Sequence, residues 1–268
     1  MHEPPPITLL TDFGMRSPYV AAMKGVISRI APGAAIHDLT HEIEPGNVRE
    51  GALAIDAVLP YWPARAVHVC VVDPGVGSGR RRIVVDSDVG VFVGPDNGLF
   101  TFVFARARRR RTFELANASF FLPRVSSTFH GRDVFAPVGA HLAAGACPAD
   151  FGSLITDPVL VDFPAPQVGA DRIQGEVIEI DRFGNMITNI DAALLGGSRA
   201  WVVQIAGASI QGVSDHYAQT ASGEMIALLS SSARLEIAVN RGSAAERLGR
   251  AAGTPVVALR AEKSPKSI

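Results

Sequence analysis

The sequence predicts an α/β N-terminal domain with a central, mostly parallel sheet flanked by helices, and a smaller, antiparallel β-barrel-like C-terminal domain. Three observations predict it. Short apolar runs alternate with helical periodicity in the first half, whereas the second half has short apolar runs without long helices. Between them, Pro158, Pro164 and Pro166 interrupt a stretch without periodicity. We therefore divide the chain into domains 1–166 and 167–268.

The elements of the first domain follow from their apolar patterns. A strand at 7–10 precedes a helix whose apolar positions recur every three or four residues between Val20 and Ile30. A strand at 35–38 and a helix at 48–59 follow. The run 67–72 is continuously apolar, which suits a strand covered on both faces. Further strands are predicted at 83–86 and 91–94, and a helix at 135–144.

The second domain contains six short runs with strand character, bounded by turn-forming residues. They cover residues 173–180, 186–190, 201–205, 225–229, 235–239 and 256–259. Since no long helical pattern separates them, an antiparallel sheet or barrel is expected.

Composition excludes several classes of function. The formal net charge is -1, so the chain has no basic excess for binding nucleic acid, and the arginine cluster at 106–111 is interpreted as a solvated loop. No apolar run reaches the ~18–20 residues that a membrane span requires. We expect a cytoplasmic protein in which Cys70 and Cys147 are buried free thiols.

Polar residues follow two of the predicted strands. Asp12 comes directly after the first strand, where an open α/β sheet binds ligands, and its two oxygens suit a ribose diol. A cap on the helix beginning near Ser17 is the alternative. The second loop contains Asp73, three glycines that permit close approach of a ligand, and Arg80. It lacks the spacing of a phosphate-binding loop, and a plain turn is the alternative.

Histidine and aromatic residues supply further candidates. His130 lies in a loop before the helix at 135–144 and is either structural or catalytic. Although His37, His41 and Asp73 could join it, no familiar zinc spacing is present, so we expect no metal. Phe183 and Tyr217 offer faces for a flat ring or belong to the core of the second domain.

Six segments together resemble the S-adenosylmethionine (SAM) hydroxide adenosyltransferase family, which is related to enzymes that attack the same substrate with fluoride or chloride. The segments are LTDFG at 10–14, VDPGVG at 72–77, GPDNG at 94–98, TFHGRD at 128–133, FGN at 183–185 and EIAVN at 236–240. Their shared order makes the resemblance specific.

The resemblance implies a hydrolase that splits SAM at ribose C5′ with water, giving adenosine and methionine. It also implies a catalytic triad of Asp73, Arg80 and His130, with no metal and no cofactor. The other substrate contacts implied are Asp12 to ribose; Phe183, Asn185 and Tyr217 to adenine; Asp181 and Ser231 to the methionine moiety; and Asn97 and Gly131.

Two positions bear on the choice of nucleophile and one on affinity. Halogenating relatives place a tyrosine where Asp73 stands, and fluorinating relatives place a serine where Gly131 stands. The chain therefore resembles the branch that uses water. Ser17 replaces an acid that many relatives direct at the methionine ammonium. Loss of such a charge-assisted hydrogen bond costs ~1.5–3 kcal/mol, so substrate affinity is expected to differ.

Family members are trimers, and the resemblance implies a homotrimer with each site between the first domain of one subunit and the second domain of its neighbour. Two alternatives to hydrolysis stay open. One is a halide-dependent adenosyl transferase similar to the chlorinating relatives. The other is a non-catalytic module that binds SAM or adenosine.

Overall fold

The computed structural model describes residues 3–261, and the chain forms two compact units, Met1–Val161 and Asp162–Ile268. The first unit has a mixed sheet with helices, and the second has an antiparallel, nearly closed sheet. The predicted fold class is therefore confirmed. The substrate-binding roles assigned to the two domains stay predictions.

Seven strands form the sheet of the first unit. They are β1 (Ile7–Thr11), β2 (Ile36–Thr40), β3 (Val67–Val71), β4 (Arg82–Ser87), β5 (Gly90–Pro95), β6 (Arg110–Glu114) and β7 (Leu154–Ile155). Their order is β2-β1-β3-β5-β4-β6-β7. The pairs from β2 to β5 are parallel and those from β5 to β7 are antiparallel, so the sheet is mixed.

Four helices belong to this unit: α1 (Tyr19–Ile30), α2 (Val48–Val58), α3 (Thr101–Arg106) and α4 (Ala136–Ala143). Helix α1 buries Val20, Met23 and Ile27, the apolar stripe that its period predicts. Asn47 caps α2 by accepting a hydrogen bond from the Glu50 amide. One turn of π-helix, Gly131–Phe135, leads directly into α4.

The register of β1 and β3 determines where the first two functional loops begin. Leu10 pairs with Cys70 and Thr11 with Val71 in a parallel ladder. Both strands are buried along their whole length, as expected for an interior pair covered on both faces. Because parallel strands end at the same edge, Asp12 and Asp73 emerge side by side.

The second unit contains the strands β8 (Gln167–Val168), β9 (Arg172–Ile180), β10 (Met186–Asp191), β11 (Trp201–Ile205), β12 (Ala208–Gln211), β13 (Met225–Leu229), β14 (Arg234–Val239) and β15 (Pro255–Arg260), with one short helix, α5 (Ala244–Leu248). The order β12-β11-β15-β9-β10-β14-β13 is antiparallel throughout, and β8 adds to β9. An isolated bridge pairs Ser214, which follows β12, with Leu228 of β13, and so brings the two end strands of the sheet closer together.

Two expectations were wrong in part. The arginine cluster is not wholly a loop, because Arg106 ends α3 and Arg110 begins β6. There Arg106 pairs with Asp56, and Arg111 pairs with Asp86 across the sheet. Cys147 is a free thiol but is exposed, whereas Cys70 is buried as expected. Between residues 3 and 261, no helix has both the length and the apolar character to cross a membrane.

Candidate active site

Asp73, Arg80 and His130 form one buried cluster in the first unit. Arg80 donates from Nε to Asp73 Oδ1 at 2.7 Å, and its Nη2 contacts the other carboxylate oxygen. The same Nη2 lies 3.0 Å from Nδ1 of His130. Exposure of the side chains is 5% for Asp73 and 10% for Arg80. Arg80 therefore contacts both of the other residues of the predicted triad and joins them into one cluster.

A glycine brings the loop after β3 close to the segment that precedes His130. Gly77 has φ +79, and a Cβ atom there would lie 2.5 Å from the Ser127 carbonyl oxygen. Only glycine fits this close approach between the loop after β3 and the segment before His130. The tight loop also returns the chain, so that Arg80 reaches back to Asp73.

The π-helical turn that follows His130 is anchored by a buried acid. Asp133 is fully buried and accepts two hydrogen bonds from Arg132, at 2.6 and 3.0 Å. It also accepts from the Ser126 amide at 2.8 Å. His130 is the residue just before this turn and stacks edge-on against Phe135. Its position is therefore set by a well-bonded segment.

The contact with Arg80 fixes the tautomer of His130. A guanidinium has only donors, so Nδ1 of His130 must accept, which leaves the proton on Nε2. Burial and the positive charges of Arg80 and Arg82 lower the pKa of His130. Together they outweigh the negative charges of Asp73 and Asp133, which raise this pKa. His130 is therefore a neutral ring whose Nε2 can donate.

Asp12 does not cap a helix. Helix α1 begins seven positions later, at Tyr19, after Pro18, and has no side-chain cap. Instead, Asp12 Oδ2 accepts from the Gly46 amide at 2.8 Å. Gly46 packs in turn against Pro74, directly after Asp73. Among the described residues Oδ1 of Asp12 has no hydrogen-bond partner, so one carboxylate oxygen is available to a ligand.

Asn97 and Gly131 lie beside the cluster in the same unit. Asn97 donates from Nδ2 to the Val72 carbonyl at 2.8 Å and so supports the residue before Asp73. Gly131 is backed by Met23, Phe13 and Phe129, each of which would lie 3.3 Å from an added Cβ. A side chain at position 131 would therefore need its neighbours to give way.

The remaining candidates lie in the second unit. Phe183, Asn185 and Tyr217 line one cavity of about 540 Å³, together with Val239, Arg241, Gly242 and Ser243. Phe183 is 70% exposed and Tyr217 is 41% exposed, so both offer ring faces rather than core packing. Sequence reasoning assigned no role to the last four lining residues, although Val239 belongs to the EIAVN segment and Arg241 follows it directly.

Asp181 and Ser231 differ in their surroundings. Asp181 accepts from the amides of Phe183 and Asn185 and from the Asn185 side chain, at 2.8–2.9 Å, so it organises its own turn. Ser231 is exposed. A further buried acid was missed: Glu236 is 4% exposed and accepts from the Tyr217 hydroxyl at 2.6 Å. Burial raises the pKa of Glu236.

The alternative metal grouping does not form among residues 3–261. No three His, Cys, Asp or Glu side chains there are arranged to hold a metal ion. His41 bonds Thr11 and lies against Asp38, and His37 packs on Trp62, so neither joins His130.

Two family models match the chain. The N-terminal domain of SAM hydroxide adenosyltransferases matches residues 7–152, and the C-terminal domain matches residues 175–257. A (R)-S-adenosyl-L-methionine hydrolase of Thermus thermophilus is 41% identical, over 94% of this chain and 98% of the relative. A hydrolase of the same name from Salinispora tropica is 41% identical, over 93% and 95%.

More distant relatives and two solved structures are also similar to this chain. A fluorinase of an Actinoplanes species is 28% identical, over 69% of this chain and 72% of the relative. The crystal structure of an uncharacterized conserved protein from Thermotoga maritima has a TM-score of 0.89 and 35% identity, covering 95% of this chain and all of that one. A conserved hypothetical protein from Thermus thermophilus has a TM-score of 0.79, 39% identity and the same coverage.

Proposed function

We propose, on the premise that this chain belongs to the SAM hydroxide adenosyltransferase family, that it hydrolyses S-adenosyl-L-methionine. Water attacks ribose C5′ and gives adenosine and L-methionine. The observation that carries the proposal is the buried cluster of Asp73, Arg80 and His130, in a chain 41% identical to curated hydrolases of this substrate.

The charges of the reaction determine what the protein must supply. The sulfonium leaves as a neutral thioether when the C5′–S bond breaks and its electron pair passes to sulfur. The leaving group therefore needs no acid. The new C5′–O bond forms from water, which loses one proton to solvent. Since water is a weak nucleophile, catalysis must come from placing and polarising it; alignment alone supplies ~7–11 kcal/mol in favourable intramolecular cases.

The cluster offers both kinds of hydrogen bond to such a water. Each carboxylate oxygen of Asp73 accepts from Arg80 and keeps a second lone pair, which can accept a hydrogen bond from water. The protonated Nε2 of His130 can donate to the water oxygen. The cationic Arg80 favours hydroxide character, while Asp73 limits repulsion between that cation and the sulfonium.

We assign binding of the adenosyl group to residues with an unbonded carboxylate oxygen or an exposed ring face. The unpartnered Oδ1 of Asp12 is suited to a ribose hydroxyl. The cavity of the second unit, with the exposed rings of Phe183 and Tyr217, suits a flat purine. Contacts from Asp181 and Ser231 to the methionine moiety, and a changed affinity from Ser17, are proposed from the family resemblance.

A homotrimer is part of the proposal, with the triad of one subunit facing the aromatic cavity of its neighbour. Complementation tests it. Asp73→Asn chains and Phe183→Ala chains, each inactive alone, are mixed after mild denaturation and refolded together. If sites are shared, some mixed interfaces contain both native halves and activity returns. If each chain holds a whole site, mixing restores nothing.

A reaction without metal or cofactor is also proposed, because the steps above use side chains and water only. We also propose that the protein is located in the cytoplasm, which cell fractionation can check.

Incubation of the purified protein with SAM in ¹⁸O-labelled water tests the function. We expect adenosine labelled at its 5′-hydroxyl and unlabelled methionine. Label in methionine, or none in either product, would contradict attack by water at C5′. Formation of 5′-chloro-5′-deoxyadenosine in chloride would favour the halide-dependent alternative, and tight SAM binding without turnover would favour a binding module.

A further inference from the structure

We propose that His41 is a positioning residue for Asp12 and so sets the affinity for the nucleoside, a role that rests on the function proposed above. His41 is 3% exposed and lies outside the triad. It begins the loop 41–46, which follows β2 and runs beside the loop that contains Asp12.

Loop 41–46 holds the Asp12 loop at three points. His41 Nδ1 lies 2.9 Å from the Thr11 hydroxyl, directly before Asp12. The His41 carbonyl accepts from the Gly14 amide at 2.7 Å. The Gly46 amide donates to Asp12 Oδ2 at 2.8 Å. The backbone on both sides of Asp12 and the carboxylate itself are therefore fixed by one segment.

The His41 side chain extends this bonding outward. Its Nε2 lies 3.0 Å from Asp38 Oδ1, within ion-pair distance although not in the direction of a hydrogen bond. Lys24 holds the other oxygen of Asp38 at 2.6 Å. The nearby negative charge of Asp38 favours the tautomer with the ring proton on Nε2. Nδ1 then accepts from Thr11, whose oxygen accepts from the Phe13 amide at 3.2 Å.

This arrangement has a consequence for binding. Gly14 turns the chain with φ +65 two residues after Asp12, a conformation that leaves this part of the loop dependent on its hydrogen bonds to loop 41–46 as well as on the packing of Phe13. If the Thr11–His41 contact is lost, the loop must be ordered when ligand binds, and affinity falls. The triad lies on other loops, so turnover of bound substrate should change little.

Two substitutions separate the two ring nitrogens. His41→Asn keeps an oxygen close to the position of Nδ1 and loses contact with Asp38. His41→Gln keeps a group close to Nε2 and loses contact with Thr11. Thr11→Val removes the same contact from the other side, at nearly constant volume, together with the bond that the Thr11 hydroxyl accepts from the Phe13 amide. Thr8→Val is the matched control, since Thr8 makes the same bond to His68, at 2.7 Å, near the start of β1.

Calorimetric titration with adenosine and steady-state kinetics with SAM measure the effect. For His41→Gln and for Thr11→Val we expect the Kd of adenosine and the KM of SAM to rise about tenfold, the loss expected for one hydrogen bond, with kcat within about twofold. The double variant should resemble Thr11→Val alone, because that substitution already removes the contact that His41→Gln removes. His41→Asn should retain most of the affinity, and Thr8→Val all of it.

Amide hydrogen exchange of the ligand-free protein gives a readout that does not need activity. The Gly14 amide, which donates to the His41 carbonyl, should exchange faster in His41→Gln and Thr11→Val than in Thr8→Val. The Phe13 amide, whose acceptor Thr11→Val removes, should exchange faster in His41→Gln as well. Unchanged exchange and unchanged adenosine affinity in the first two variants would overturn the role of His41 alone. If the unmodified protein does not bind adenosine, the proposed function falls, and this role falls with it.

Discussion

Replacing Asp73 with asparagine perturbs the centre of the cluster without changing its size. The carboxylate presents an acceptor to Nε of Arg80 and another to Nη2, and both side chains are at most 10% exposed. Asparagine keeps one acceptor and directs an NH₂ group at a guanidinium that has only donors. Arg80 then loses its counterion in a buried position and no longer holds its contact with His130.

Removing one partner of a buried ion pair costs ~3–5 kcal/mol. Because the amide oxygen still accepts one bond, we expect the lower value, about 3 kcal/mol of unfolding free energy. A native domain has ~5–15 kcal/mol, so the variant should remain folded. We expect turnover to fall at least ~100-fold, which corresponds to about 2.7 kcal/mol of activation free energy.

Urea unfolding followed by circular dichroism measures the first quantity, and chromatographic detection of adenosine measures the second. Asp157→Asn is the matched control, because Asp157 pairs with the neighbouring Arg81 but is 78% exposed. It should change neither stability nor turnover measurably. A folded Asp73→Asn protein with turnover within about twofold of the unmodified one would refute the reasoning.

Three further predictions follow from the same geometry. Burial and the charges of Arg80 and Arg82 lower the pKa of His130 below its ordinary 6.5, so the fall of kcat/KM on acidification should be centred below pH 6.5. Arg82→Gln, which removes a nearby positive charge, should move that fall to higher pH. Tyr217→Phe leaves the buried Glu236 carboxylate without its donor, so the free energy of unfolding at neutral pH should drop by about 1–3 kcal/mol. Urea unfolding should show that this loss shrinks on acidification, since a carboxyl group with a raised folded-state pKa takes up a proton on folding. Dialysis against EDTA should leave the rate of adenosine formation unchanged, and a loss restored by added metal would contradict the proposed mechanism.

The apolar pattern of the sequence alone could locate only those site residues that directly follow a strand. Asp12 and Asp73 follow apolar runs whose pairing places them at one edge. The contact between Asp73 and Arg80 was harder to predict from local pattern, because Arg80 reaches Asp73 only through a loop with positive φ at Gly77. His130 depended on resemblance, since the packing of Gly77 on Ser127 is a tertiary contact that no local period encodes.

Elsewhere the limits of the sequence have a similar physical origin. Residues 110–114 begin with two arginines and so lack the apolar alternation of a strand, yet Arg111 forms a cross-strand ion pair with Asp86 that supports β6. Glu236 begins one of the six segments that carry the resemblance but was assigned no role, because a single acid in an apolar run is normally outward-facing. Here it points at a tyrosine from a segment 19 positions away in the chain.

The orientation of the Arg80–His130 hydrogen bond has a consequence for which nucleophiles the cluster admits. Because His130 accepts from Arg80, it and Arg80 present only N–H groups to an incoming ligand, and an anion such as chloride satisfies such groups as well as water does. Discrimination therefore falls to the spare lone pairs of Asp73, which attract the hydrogens of water and repel an ion that has none. Under the proposed function, the carboxylate of Asp73 is therefore expected to disfavour halide as well as to pair with Arg80.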